Sequence, residues 1–396
     1  MKKTVLPSAI IFFMLSGFLL NSCRHDEKVL PSTPVEVGPG TDVEDGEITG
    51  FFLLNEGNMG SNKATLDYYD YETGVYHRNI YAERNPGVVK ELGDVGNDIQ
   101  IYRDKLYAVI NCSHFVEVMD LATLKHITQI SIPNCRYITF KDDYAYVSSY
   151  AGPVKLDPNA RLGYVARVDL NTLQVKDTCV VGYQPDELVI SGDKLYVANS
   201  GGYRFPDYDY TVSVINLKTF KEIKKIDVAI NLHRLELDHN GNLWVSSRGD
   251  YYDIPSKTFV IDTETDTVTD TLHLVPNSNM TLYRDSLYIY STEWSWYTES
   301  NTVTYAIVDT DTKKVVTRNL ITDGTDTDIT VPYGIAVNPD TGEFFVTDAK
   351  DYVTPGKLHC YGPDGVRKWS VTTGDIPAHI AFTRTKLRPL EEIEEQ

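Results

Sequence analysis

Along most of this chain apolar and polar residues alternate with a period of two, in short runs bounded by Gly, Asn and Asp. The stretch Tyr183 to Val228 shows the pattern most clearly. Glu187-Leu188-Val189-Ile190 turns at Ser191-Gly192-Asp193-Lys194 into Leu195-Tyr196-Val197-Ala198-Asn199. A loop rich in Gly and aromatics, Ser200 to Tyr210, leads to Thr211-Val212-Ser213-Val214-Ile215-Asn216, and a turn at Leu217-Lys218-Thr219 opens a last strand, Lys221 to Val228. Successive side chains leave opposite faces of a pleated strand, so such alternation marks half-buried strands. Four of them in sequence make one antiparallel sheet.

The unit repeats. An Asp or Asn, two variable residues and a Thr recur at its third turn: Asp70 with Thr73, Asp120 with Thr123, Asp169 with Thr172, Asn216 with Thr219, Asp262 with Thr265 and Asp309 with Thr312. The second strand supplies another marker at the same spacing: Leu106-Tyr107, Ala145-Tyr146, Leu195-Tyr196, Leu243-Trp244, Leu287-Tyr288 and Phe344-Phe345. A period of about 50 residues with four strands per copy is the signature of a β-propeller. A seventh copy keeps its strands, Gly334 to Val337 and Glu343 to Val346, but has Tyr361-Gly362-Pro363-Asp364-Gly365 at the turn. The first copy begins at its second strand, Gly50 to Asn55, while Ile376 to Phe382 reads as an opening strand with no successor. Joining the two closes the ring and removes its free edges. The expected fold is all-β, a seven-bladed propeller of four-stranded antiparallel blades closed by the C-terminal strand. The Asp and Thr markers are expected to be side chains bonding their own turn backbone. A calcium loop would need an invariant Gly and a terminal Glu, which no copy has.

Outside the repeats the pattern changes. Met1-Lys2-Lys3, the apolar run Val5 to Leu20 and Leu20-Asn21-Ser22-Cys23 have the order of a lipoprotein signal, with Cys23 as the lipidated residue. The run is shorter than the roughly 20 apolar residues that a membrane span needs. Arg24 to Ile48 lacks periodicity and is rich in Pro, Gly and acids, the composition of a tether. The expected organisation is therefore signal peptide 1–22, lipidated Cys and flexible tether 23–48, propeller 49–385 and acidic tail 386–396. Attachment to the membrane is expected through the lipid alone.

A formal charge of -19 argues against nucleic-acid binding, which depends on neutralising phosphates. Cys179 and Cys360 lie within strands and read as small apolar residues. Cys112 and Cys135 fall near one rim of neighbouring blades, where an exported protein would hold them either as free thiols or as a disulfide.

In a propeller the loops between second and third strands share one face, together with the entries to the first strands. Here that face carries the long loops, Ser149 to Leu162, Ser200 to Tyr210, Arg248 to Lys257, Glu293 to Thr302 and Ala349 to Lys357. The opposite face has minimal turns such as Arg103-Asp104-Lys105 and Asn240-Gly241. Long loops on a rigid scaffold are where binding is normally placed. They hold Tyr150, Tyr203, Phe205, Tyr208, Tyr251, Trp294, Trp296 and Tyr297, large rings with polar tips suited to broad contact. The entries to the innermost strands add a crown at the channel mouth: Asn97 and Asp98, Arg136 and Tyr137, Asp186 and Glu187, His233 and Arg234, Ser278 and Asn279, Pro332 and Tyr333, and Ala378 and His379. His233 and His379 have no local metal-ligand spacing, and no nucleophile elbow, phosphate-cradling Gly loop or paired carboxylates occur. The sequence points to binding, with no catalytic residue, metal or required cofactor.

Three segments carry a resemblance: Phe51 to Ser61 (FFLLNEGNMGS), Asn111 to Val116 (NCSHFV) and Tyr196 to Tyr203 (YVANSGGY). With the lipobox, these resemble the BtuG-type surface lipoproteins of gut Bacteroidetes, YncE-like propellers that capture vitamin B12. The resemblance covers essentially the whole propeller. It implies capture of cobalamin outside the cell, anchorage at the outer membrane facing outward, and handover to a TonB-dependent transporter of BtuB type. A corrinoid is a broad disc with apolar edges, amide arms and one phosphate, for which Arg136, Arg204, Arg234 or Arg248 would supply a local positive spot. A surface-layer or adhesion scaffold, and less readily a propeller lyase or hydrolase, are the alternatives.

Overall fold

The structure is a computed structural model that describes residues 32–88, 91–295 and 300–394. It is a seven-bladed β-propeller. The second to seventh blades each hold four antiparallel strands in chain order, and the first is completed by the last strand of the chain. Pro377–Thr383 lies antiparallel to Gly50–Asn55, with Phe51 opposite Phe382 and Leu53 opposite Ile380. Neither edge is left open by this closure.

The alternation places one side of each blade against its neighbour, so burial occurs between blades. Each of the seven interfaces has its own core. Tyr196, Val214, Leu235 and Val245 join the fourth and fifth blades, while Phe51, Leu53, Phe345 and Leu358 join the first and seventh. At that last interface Phe51 packs edge-on to Phe345 with centroids 4.9 Å apart. The chain ends are thus bound by ring packing as well as by the strand ladder.

The Asp and Thr markers are turn devices. Asp120 Oδ1 accepts from the Thr123 amide at 2.9 Å and its hydroxyl at 2.7 Å, and Asp309 Oδ1 does the same for Thr312 at 2.7 and 2.6 Å. Beside these turns the ladder slips by one residue, as between Val118 and Met119 or Val260 and Ile261.

Two terminal expectations change. Within the stretch read as a tether, Thr33–Glu36 is a strand on the outer edge of the first blade, with Thr33 opposite Arg78 and Glu36 opposite Val75. All four residues are exposed, so the strand rests on ladder bonds and has no apolar face for the sequence to reveal. Near the C-terminus Leu390–Glu394 is a short helix, and Leu387 packs against the core between the first and second blades. Cys23 and the signal segment lie outside the described residues. Among the described residues no helix is long and apolar enough to cross a membrane. The thiols of Cys112, Cys135, Cys179 and Cys360 are free.

Candidate functional site

The entry to the innermost strand builds the site. In the third, fourth, fifth and seventh blades, two residues of that strand face one residue of the next, a bulge between Cys135 and Ile138, Pro185 and Leu188, Leu232 and Leu235, and Pro332 and Ile335. A bulge bends the strand and re-aims its side chains. The residues it releases are Arg136 and Tyr137, Asp186 and Glu187, His233 and Arg234, and Tyr333 and Gly334. Backbone donors freed from the ladder are met by hydroxyls of the second strand: Ser148 accepts from Tyr137, Ser246 from Arg234 and Thr347 from Gly334. Carboxylates of the preceding blade complete the frame, with Asp98 accepting from the Ile138 amide and Glu187 from that of Leu235.

Of these residues, Arg136, Tyr137, His233, Arg234 and Tyr333 line a funnel of about 870 Å³ on the long-loop face. Its wall includes Arg136, Tyr137, Tyr150, Tyr203, His233, Arg234, Arg248, Tyr251, Trp294 and Tyr333. Asp186, fully buried, is the hub: its Oδ1 accepts from Tyr150 Oη at 2.7 Å and Arg136 Nε at 3.2 Å, and its Oδ2 from Arg248 Nη1 at 3.4 Å. The Arg136 guanidinium lies 4.7 Å from the Tyr150 ring centroid, and that of Arg234 lies 5.2 Å from Tyr137. Tyr137 Oη meets His233 Nε2 at 3.0 Å. Burial, reinforced by Arg248, Arg234 and Arg136, pushes the His233 imidazole well below its ordinary range, so it is neutral at physiological pH. Acidic groups occupy another part of the wall. Tyr333 Oη donates to Glu56 at 2.8 Å, and Ser256 Oγ donates to Glu293 at 2.8 Å.

Not every candidate reaches the funnel. His379 faces a smaller chamber of about 270 Å³ on the other side of Arg234, with Asp98, Glu187 and Glu236. The closing strand enters with a slip between His379 and Pro377, which aims His379 toward this chamber while its Nε2 stays 3.5 Å from Glu56. Arg204 turns away to stack on Tyr183 at 3.7 Å and to donate to the Asp207 carbonyl. Phe205 and Tyr208 pack on each other outside the wall, and Phe205 also lies near Tyr252, which lines it. Trp296 and Tyr297 lie outside the described residues. Asn279, an entry residue of the sixth blade, donates to the Tyr333 carbonyl at 3.2 Å. The sequence does not single out Tyr290, whose hydroxyl meets the same carbonyl, because it sits in a regular strand position that looks like core.

Solved structures share the architecture. A hypothetical selenium-binding protein from Sulfolobus tokodaii superposes with a TM-score of 0.60 at 11% identity, over 87% of this chain and 97% of that one. A quinonprotein alcohol dehydrogenase-like protein from Bacteroides thetaiotaomicron gives 0.56 at 18% identity, over 84% and 78%. Hydrazine synthase from Kuenenia stuttgartiensis gives 0.56 at 17% identity, over 68% and 77%. At these identities the likeness shows the fold alone. No curated protein matches the sequence. One family model does match, over residues 49–361, from the strand that receives the C-terminus to the third strand of the last blade: the chain belongs to the family described as a domain of unknown function, DUF5074.

Proposed function

We propose that the funnel captures cobalamin at the cell surface and that the propeller, anchored through Cys23 at the outer membrane, passes it to a TonB-dependent transporter of BtuB type. One observation carries the reading: the segments that resemble BtuG-type lipoproteins contribute directly to the funnel wall. Glu56, Gly57, Asn58 and Met59 come from the first, Asn111 and Cys112 from the second, and Tyr203 from the third. The chemistry of the wall suits the ligand. Tyr, Trp and Met surfaces cover apolar corrin edges, Asn side chains meet amide arms, and an open funnel admits a ligand that projects beyond it.

Titration of the protein with cyanocobalamin, followed by tryptophan emission and by heat, tests the reading. Trp294 is 48% exposed on the wall, whereas Trp244 is buried with its indole N–H on Asp238 at 2.9 Å. Saturable quenching is the expected result, and a flat titration at micromolar concentrations removes the proposal. Trp294→Ala should weaken capture by about 1–3 kcal/mol, as for a rim aromatic anchor, with an unchanged unfolding temperature.

A further inference from the structure

The floor of the funnel gathers three guanidiniums. Arg136, Arg234 and Arg248 converge there: the first and last share Asp186, and Arg136 and Arg234 both lie against the Tyr137 ring. A guanidinium offers five donors. Among the described residues each of these side chains makes a single hydrogen bond, Arg136 and Arg248 to Asp186 and Arg234 to Glu187 at 3.5 Å. Asp98 and Glu236 lie near Arg234 on the side of the smaller chamber, and among the described residues only two carboxylates accept from the three guanidiniums. One of the two, Glu187, is partly neutral near physiological pH, because burial pushes its carboxyl up to about 7.

A second, independent feature lies beside them. His233 is 8% exposed, and its Nδ1 is buried with no partner, as is Arg234 Nε. Nε2 meets the Tyr137 hydroxyl at 3.0 Å, and in the tautomer where that hydroxyl donates, the neutral ring carries its proton on Nδ1. Buried donors without acceptors are costly in a folded protein unless something supplies the acceptor. The acids of the funnel stand elsewhere on the wall, Glu56 on Tyr333 and Glu293 on Ser256, so they do not fill this role.

We propose that the floor between the third and fifth blades is a subsite for a tetrahedral oxyanion, a phosphate or phosphodiester, held by Arg136, Arg234 and Arg248 with His233 as a neutral fourth donor. Guanidiniums approaching from two blades suit an acceptor with oxygens in several directions better than a planar carboxylate, which one fork can saturate. The rings of Tyr137 and Tyr150 hold the guanidiniums in place before the anion arrives. The inference concerns the same funnel as the corrinoid reading but stands on its own observations, so the two can fail separately.

Calorimetric titration with inorganic phosphate, against chloride at matched ionic strength, is the test. The expected result is a saturable heat with the wild-type protein, and affinity lowered about tenfold or more in Arg248→Gln, as for loss of a charged hydrogen bond. Lys218→Gln, which makes the same charge change at an exposed turn of the opposite face, should bind as wild type. Circular dichroism checks that Arg248→Gln is folded, and Arg248→Lys, which keeps the charge without the fork, should fall between the two. No saturable heat with phosphate, or equal affinity in wild type and Arg248→Gln, overturns the subsite. Cyanocobalamin and cobinamide, the corrinoid without its nucleotide loop and phosphate, separate the two readings. Phosphate binding without corrinoid binding ends the capture proposal and leaves the subsite standing. Corrinoid binding with no saturable phosphate heat ends the subsite and leaves capture standing.

Discussion

On the hairpin rim the turns after the third strands are closed by their own side chains, and the ion pairs that join neighbouring blades are largely exposed. Asp120, Asn216, Asp262 and Asp309 accept from amides two or three residues on, and Arg103 meets Asp143 at 2.8 Å in solvent. On the loop rim the contacts between blades centre on a buried carboxylate. Asp186 of the fourth blade holds Arg136 of the third and Arg248 of the fifth, and Glu187 reaches the Leu235 amide of the fifth. A pair in water contributes little because solvent competes with both partners. A buried charge has no such substitute, so its partner matters far more. The same scaffold therefore carries one rim whose residues are replaceable singly and another whose residues act as a group.

The comparison can be broken first at the ring both rims stand on. Ending the chain before Pro377 removes the strand paired with Gly50–Asn55 and should abolish cooperative unfolding, with soluble protein lost to edge pairing. A thermal melt and size-exclusion profile read this. Next in size is Asp186→Ala, which leaves the two guanidiniums that share this buried carboxylate without their acceptor and should cost about 3–5 kcal/mol in chemical denaturation. Asp120→Ala on the other rim should cost only about 1 kcal/mol and leave ligand affinity unchanged. An equal cost at the two aspartates would erase the distinction between the rims.

The smallest effect is a pH dependence. Burial pushes the Glu187 carboxyl from 4.5 up to about 7 and that of Glu236 up to about 8. Both bind their protons more tightly folded than unfolded. The stability this gives is complete below the unfolded value and is lost as pH rises through 7 and 8. The unfolding temperature should therefore fall across that window, and Glu236→Gln should flatten the slope. An unchanged slope in the variant assigns the effect to other groups.

The wheel was legible because its determinants are local and repeated. Alternation marks each strand, and the Asp-to-Thr turn chemistry recurs six times at the same place. The closing strand was legible for the same reason, as a surplus first strand with a matching deficit at the other end. Thr33–Glu36 was not, since it buries no side chain and leaves no apolar pattern. Within the site, entry positions identify Arg136, His233, Arg234 and Tyr333, since the bulge lies at the same point of the repeat. They do not separate His379, which enters through the closing strand and faces the other chamber. Nor do they mark Asp186 as the hub, because its partners come from neighbouring blades and from a loop, distances that no spacing in the chain encodes.

Hydrogen exchange of the protein with and without cyanocobalamin tests the central claim most directly, that one rim binds and the other only supports. Protection is expected in 200–210 and 248–257, with no change in the hairpin turns 103–105, 191–194 and 240–241. Protection on the hairpin rim, or none on the loop rim at saturating ligand, would contradict the account.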